Sequence, residues 1–198
     1  MKTYLFLAQL HSGKLVLRVI KGHAAVKVEM DRVLKLFSNG ELSQQSLLIL
    51  SKDYQDVQTR FQSYNNIHFK GPVPQSDVGK FLMQARFGLN VVPNHYPFNH
   101  QSSTKLLEYA AAKLPIITSD YPWVREFQKE SGGEFYFLNE DLSNVSWKSI
   151  NAFSYSWPDL SHWTWDHQIR KSGVLEFLGS KFPLLNLTSS EVFGHIPQ

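Results

Sequence analysis

The fold is decided by residues 66–120, which contain NIHFKGPVP (66–74), FGLNVVP (87–93) and SSTKLLEYAAAKLPIITSD (102–120). Short apolar runs at 67–69, 88–92 and 115–118 are bounded by Gly, Pro or polar residues, which predicts strands. Residues 78–85 and 104–113 carry apolar side chains at helical spacing, which predicts helices. Strands that alternate with helices indicate βα units around a parallel sheet.

The same alternation continues in both directions along the chain. It predicts strands at 4–10, 46–51 and 135–138, and helices at 22–37, 53–64 and 124–129. The run from Leu47 to Leu50 is apolar without interruption, as in parallel strands that are covered on both faces. The predicted fold class is therefore α/β, with a Rossmann-like parallel sheet flanked by helices.

A change of composition follows the last predicted strand. From residue 139 the chain is rich in Ser and Asn and contains Trp147, Trp157, Trp163 and Trp165, with one helix predicted over 165–178. We expect two domains: residues 1–140 form the Rossmann-like domain, and residues 141–198 form a Trp-rich helical C-terminal appendage that packs on it. Core and interface packing is the commoner use of such Trp residues, and stacking on bases or sugars is the alternative.

Composition excludes several classes of protein. The 198 residues include no Cys, so disulfides, thiolate metal sites and Cys nucleophiles are excluded, and no apolar run approaches the ~18 residues of a membrane span. The first ten residues lack the pattern of a secretory signal, so the expected location is the cytoplasm, with peripheral contact at the inner face of the membrane as an alternative. A net charge of +3 is compatible with phosphorylated ligands or anionic lipid. We do not expect a nucleic-acid partner.

The strongest predicted anion site is the start of the helix at 104–113. The first N–H groups of a helix have no partner within it and carry partial positive charge, and hydroxyls from Ser102, Ser103 and Thr104 add hydrogen-bond donors. Lys105 is unfavourable in a first helical turn unless an anion offsets its charge. A diphosphate would fit there. The alternative is ordinary N-capping by Ser103 with Lys105 directed to solvent.

Glu108 follows Lys105 by three residues and so shares its helix face. Its carboxylate could accept hydrogen bonds from two ribose hydroxyls. The alternative is a surface ion pair between Lys105 and Glu108. His95 and His100 lie on a loop rich in Pro and Asn without a third ligand, so we expect no metal.

This ordered series of segments resembles the C-terminal, donor-binding domain of retaining GT-B type glycosyltransferases (group 1, family 4-like), especially those of bacterial capsular and surface polysaccharide synthesis. The resemblance covers about residues 64–138. It implies one half of a GT-B fold, with the nucleotide-sugar-binding domain at 1–140. The implied reaction transfers a sugar from a nucleoside-diphosphate sugar to a glycan or lipid-linked acceptor. No metal or cofactor other than that donor substrate is implied.

The resemblance also assigns roles to residues. Glu108 matches the second glutamate of the family's motif, the segment with Gly71 lines the base, and Ser103, Thr104 and Lys105 hold the donor's diphosphate. Lys21 matches the basic loop that neutralises the leaving diphosphate, with Lys14 and Arg18 as alternatives because the spacing is two residues too long. The implied catalytic residues are Lys21, Lys105 and His100.

Two features depart from that family. His100 stands where the first motif glutamate addresses the transferred sugar, so the donor sugar is left open, and Lys113-Leu114 precede Pro115 where a Gly is usual. The chain also lacks room for the acceptor-binding half. We therefore expect an acceptor domain or subunit in trans, with a gene fragment and a degenerate binding module as alternatives. A non-catalytic nucleotide- or phosphate-binding α/β module is the other class of function.

Overall fold

The computed structural model describes residues 14–18, 24–51 and 55–182, and these contain a six-stranded sheet in which all neighbouring strands are parallel. The strands are β1 (Lys14–Arg18), β2 (Ser46–Leu50), β3 (Ile67–Lys70), β4 (Phe87–Asn90), β5 (Ile116–Ser119) and β6 (Tyr136–Leu138). They lie in the order β3-β2-β1-β4-β5-β6. This is the doubly wound Rossmann order, which confirms the predicted fold class.

Helices connect the strands and follow them. They are α1 (Ala24–Ser38), α2 (Gln55–Phe61), α3 (Gln75–Leu82), α4 (Thr104–Ala111), α5 (Pro122–Ser131), α6 (Trp147–Ala152), α7 (Trp165–Lys171) and α8 (Val174–Lys181). A short 3-10 helix spans Phe98–His100. The ends of α5 follow from local chemistry, because Pro122 stands at its start, where a missing N–H costs nothing, and Gly132 ends it at φ +73°.

The first strand among the described residues falls where no strand was predicted. The predicted strand at 4–10 falls outside the described residues, and β1 is formed by residues 14–18, which the sequence analysis assigned to a basic loop. Lys14 and Arg18 are therefore strand residues and not loop residues, while their role as alternative cations for the diphosphate stays a prediction. The segment is a strand because of its pairing: Leu15, Val16 and Leu17 are apolar, and each pairs with both β2 and β4.

The core of the sheet is built from apolar strand residues and the helices packed on them. Leu15 and Phe37 are fully buried, and they belong to one apolar cluster that also includes Ile49. The fit around β4 is close. A Cβ added to Gly88 would lie 2.5 Å from two ring carbons of Tyr109, so β4 and α4 approach one another only because residue 88 has no side chain.

The chain divides into two compact units, Met1–Pro158 and Asp159–Gln198. Residues 141–158, predicted as the start of the appendage, belong to the first unit, and Val145 and Ile150 are buried in its core cluster. In the second unit the prediction of a single helix over 165–178 is wrong, because the structure has two helices, α7 and α8, in this region. They are separated at Gly173, whose φ of +68° interrupts the helical backbone. The packing of a C-terminal appendage on the Rossmann-like domain stays a prediction.

Candidate functional site

The start of α4 is held by a buried polar network at the carboxyl end of β4. Asn90 is 2% exposed, and its Oδ1 accepts a hydrogen bond from the Ser103 hydroxyl at 2.7 Å. Its Nδ2 donates to Thr118 Oγ1 at 2.9 Å and to the Tyr121 hydroxyl at 3.4 Å. Ser103 Oγ in turn accepts from the backbone N–H of Leu106 at 3.2 Å. The network therefore joins the ends of β4 and β5 to the first turn of α4.

These contacts show what the predicted anion-site residues do in the structure. Ser103 is the N-cap of α4, and its single hydroxyl proton is given to Asn90, so helix capping, the alternative raised from the sequence, describes it. Thr104 is exposed and Lys105 is half-buried in the same turn. A role for Ser103, Thr104 and Lys105 in holding a diphosphate stays a prediction.

Glu108 lies next to the connection that follows β3. Its Oε1 accepts a hydrogen bond from Gln75 Nε2 at 3.1 Å, and Gln75 is the first residue of α3. Gly71 begins the short connection between β3 and α3. Glu108 thus contacts the residue that directly follows the connection containing Gly71, although Gly71 and Glu108 are far apart in sequence.

The other predicted site residues are not brought into this group by any described contact. His100 is exposed and ends the 3-10 helix, with its ring 6.1 Å from that of Tyr96. Lys21 lies outside the described residues. Their assignment as catalytic residues remains a prediction.

A cleft of about 500 Å³ lies at the carboxyl ends of β4, β5 and β6 and is bounded by α1. Arg125 and Asp120 both line the cleft and pair with each other. Arg125 Nε donates to Asp120 Oδ1 at 2.7 Å, and its Nη2 donates to Oδ2 at 2.5 Å. The Arg125 guanidinium also lies 3.5 Å from the centre of the Phe137 ring. Hydrogen bonds from Arg125 hold the pKa of the Asp120 carboxyl below its ordinary value.

Sequence reasoning missed this cleft. Its lining comes from three strand ends and from Glu29 and Arg32 of α1, which are distant in sequence. The available signal was a polar pair, Ser119-Asp120, at the end of a buried strand. In open parallel sheets the carboxyl ends of the strands form the ligand crevice, so that pair could have marked it.

The described part of the chain contains neither a metal-binding cluster nor a membrane-spanning helix. No three His, Cys, Asp or Glu side chains among those residues are grouped so that they could hold a metal ion. No helix there is both long and apolar enough to cross a membrane.

Comparison with known families places the chain. Residues 31–144 match the model of the glycosyl transferase-like family, which is more than half of the 198 residues. The chain belongs to this family. No curated protein sequence matches the chain.

Solved structures show the same fold at low sequence identity. The glycosyltransferase AviGT4 of avilamycin A biosynthesis has 15% identity and a TM-score of 0.50, over 73% of this chain and 43% of that one. The trehalose-6-phosphate synthase OtsA has 11% identity and a TM-score of 0.53, over 77% and 39%. The UDP-GlcNAc 2-epimerase of Methanocaldococcus jannaschii, solved with UDP-GlcNAc and UDP, has 13% identity and a TM-score of 0.54, over 88% and 48%.

These comparisons confirm that the fold is one Rossmann-like half of a GT-B architecture. The chain spans less than half the length of each of these three relatives.

Proposed function

We propose that this chain is the donor-binding half of a glycosyltransferase. It binds a nucleoside-diphosphate sugar, whose glycosyl unit passes to a glycan or lipid-linked acceptor. The chain spans less than half of each structural relative, and an acceptor-binding domain or subunit completes the active site in this proposal. We further propose a role in surface polysaccharide synthesis, in the cytoplasm or at the inner face of the membrane.

The observation that carries the proposal is the position of α4. Its first turn follows β4, and β4 pairs with β1 at the point where the strand order reverses. In doubly wound sheets nucleotides bind at that switch point, with phosphate at a helix N-terminus. In a member of the glycosyl transferase-like family, this arrangement fits a nucleotide donor. The epimerase relative, which has the same fold, was solved with UDP-GlcNAc and UDP.

Glu108 gives the proposal a second support. It lies one turn beyond the proposed diphosphate position and touches Gln75, which begins the helix after Gly71. A ribose on Glu108 would therefore leave the base beside the connection that contains Gly71. A carboxylate has about four acceptor positions, so the contact with Gln75 does not exclude hydrogen bonds from ribose hydroxyls.

In the proposed reaction the protein acts by electrostatic stabilisation of the leaving group. The N–H groups that open α4, together with Lys105 and Lys21, would offset the charge that develops on the departing diphosphate. His100 would face the transferred sugar. No metal is needed for these roles.

The test is the substitution Glu108→Gln in the full chain, with affinities for UDP and GDP measured by calorimetry. A hydrogen bond to a charged group contributes about 1.5 to 3 kcal/mol, so we expect affinity to fall about tenfold or more. The unfolding midpoint should change little, because Glu108 is only half-buried.

Glu126→Gln is the matched control, since it removes one carboxylate charge from an exposed position on α5. It should leave both affinities unchanged. If the wild-type chain and Glu108→Gln bind the nucleotide with equal affinity, Glu108 does not bind the ribose and only contacts Gln75. Failure of the wild-type chain to bind any nucleoside diphosphate would favour a different α/β module.

A further inference from the structure

The cleft at the ends of β4, β5 and β6 is chemically unlike a phosphate site. Its lining includes three carboxylates, of Glu29, Asp120 and Glu140, but only two guanidinium groups, of Arg32 and Arg125. Like charge raises the free energy of a bound anion, so this composition disfavours a diphosphate.

Both guanidinium groups in the cleft are already partnered. Arg32 Nη1 donates to both carboxylate oxygens of Glu29 at 3.0 Å, and its Nη2 donates to the backbone carbonyl of Glu140. Arg125 and Asp120 form the two-bonded pair described above. Both guanidinium groups and the carboxylates of Glu29 and Asp120 are thus neutralised within the protein. A neutral ligand can bind there without leaving an unpaired ion.

The remaining hydrogen-bonding capacity suits hydroxyl groups. A guanidinium has five N–H donors and a carboxylate about four acceptor positions, so each pair still presents donors and acceptors at fixed spacing. Asn94 and Asn139 add amide groups that can both donate and accept. Vicinal hydroxyls of a sugar, which also both donate and accept, are complementary to this arrangement.

The cleft also has apolar lining for the carbon face of a sugar ring. Val92, Phe137 and Leu142 belong to its wall. Ligand clefts of ~300–1,000 Å³ that combine apolar walls with a few polar groups are the usual form of small-molecule sites, and this cleft lies within that range.

The cleft is joined to the start of α4 through the ends of two adjacent strands. The backbone N–H of Val92, beyond β4, donates to Ser119 Oγ at 3.0 Å, and Ser119 ends β5 and lines the cleft. The neighbouring residue Thr118 receives the hydrogen bond from Asn90, which anchors the Ser103 cap. One polar network therefore reaches from the proposed diphosphate position to the cleft wall.

We propose that this cleft seats a neutral sugar ring, with the Asp120–Arg125 pair as its specificity-determining contact. This deepens the proposed function and rests on it for the identity of the ligand. The ring is either the glycosyl unit of the nucleotide donor or a sugar of the acceptor. The two sources share one chemistry.

The experiment is nitrogen-15 NMR titration of the full chain and of Asp120→Asn. The probes are UDP, GDP, UDP-glucose, UDP-GlcNAc, GDP-mannose, and free glucose and N-acetylglucosamine. Beyond the effects of the bare nucleotides, sugars should shift the amide signals of Asn94, Ser119 and Asp120. Asp120→Asn should weaken this sugar-dependent binding about tenfold, the factor contributed by one hydrogen bond to a charged group. Affinity for UDP or GDP should not change.

Asp31→Asn is the matched control, because Arg60 also binds Asp31 through two hydrogen bonds, of 2.8 and 2.7 Å. Asp31 does not line the cleft although its neighbours Glu29 and Arg32 do, so the substitution should leave sugar binding unchanged. Shifts caused only by nucleotide-linked sugars identify the donor unit, and shifts caused by free sugars identify an acceptor seat; either outcome supports the proposal.

Nucleotide binding with no sugar-dependent shift at the cleft overturns the cleft assignment and leaves the donor-half proposal standing. Free-sugar binding at the cleft without any nucleotide binding has the opposite meaning, since it supports the cleft and contradicts the donor-half proposal. If no probe shifts any signal, both are wrong.

Discussion

Replacing Ser103 by alanine tests the buried network that fixes the start of α4. The Ser103 hydroxyl makes two hydrogen bonds, one from the Leu106 N–H and one to Asn90 Oδ1. Ser103→Ala removes both at once. It also leaves the Asn90 oxygen without that donor at a position that is 2% exposed.

The expected loss can be worked from these two contacts. Loss of a Ser N-cap costs about 1 kcal/mol. A buried acceptor left unpaired costs a further 1 to 3 kcal/mol or so. We therefore expect the free energy of unfolding, measured by urea titration, to fall by about 2 to 4 kcal/mol.

Ser146→Ala supplies the matched control. Ser146 is the N-cap of α6, and its Oγ accepts a hydrogen bond of 3.4 Å from the Ser149 N–H. It lacks the described hydrogen bond to a buried Asn side chain that Ser103 makes. This substitution should cost about 1 kcal/mol or less. If the two variants lose the same stability, the Asn90 network does not hold α4, and the reasoning fails.

Three further outcomes are expected. Gly88→Ala should lower the free energy of unfolding by about 1 to 3 kcal/mol, since its Cβ would overlap the fully buried Tyr109 ring, and wild-type stability in a urea titration would contradict the close approach. The Asp120–Arg125 pair should add stability above the ordinary carboxyl pKa of 3.8 that is lost as pH falls through the lowered pKa. Because both side chains are about half-exposed, at 48% and 50%, this contribution should stay below about 1 kcal/mol, and acid titrations of Asp120→Asn should lack it. Finally, EDTA should leave UDP and GDP affinity unchanged in calorimetry, because the proposed charges are lysines and helix N–H groups; a collapse of affinity would require a metal.

The strands β2 and β6 were predictable because their sequences are continuous apolar runs with clear ends. Residues 46–51, predicted as a central strand, form β2 at Ser46–Leu50, and the prediction at 135–138 corresponds to β6 at Tyr136–Leu138. A run of this kind has few ways to be buried other than within a covered parallel sheet. The length of each apolar run and the residues that bound it were therefore sufficient to predict these strands.

The centre of the sheet was not predictable by the same means. Leu15, Val16 and Leu17 form an apolar run of only three residues between two cations, and the family resemblance placed a basic loop in this region. What makes this segment a strand is its pairing with both β2 and β4, which sequence spacing does not display. Tertiary pairing decided the structure here.

The site was predictable only in part for a similar reason. The start of α4 and Glu108 could be located from helix chemistry, because capping and dipole effects act within one turn. The role of Asn90 could not, because the sequence places it within the strand predicted at 88–92 but does not show which side chains its amide contacts. Its burial depends on Ser103, Thr118 and Tyr121, which meet it only in the folded chain.

The central place of β1 bears on how this protein can be shortened. The residues that match the family model, 31–144, begin within α1 and stop before Val145. A fragment with those limits would lack β1, so the inner edges of β2 and β4 would lose their hydrogen-bonding partner. It would also lose Val145 and Ile150 from the core. Unpaired apolar edges of this kind join other chains, so the shorter piece should aggregate on expression, and a soluble version has to extend beyond the matched residues at both ends.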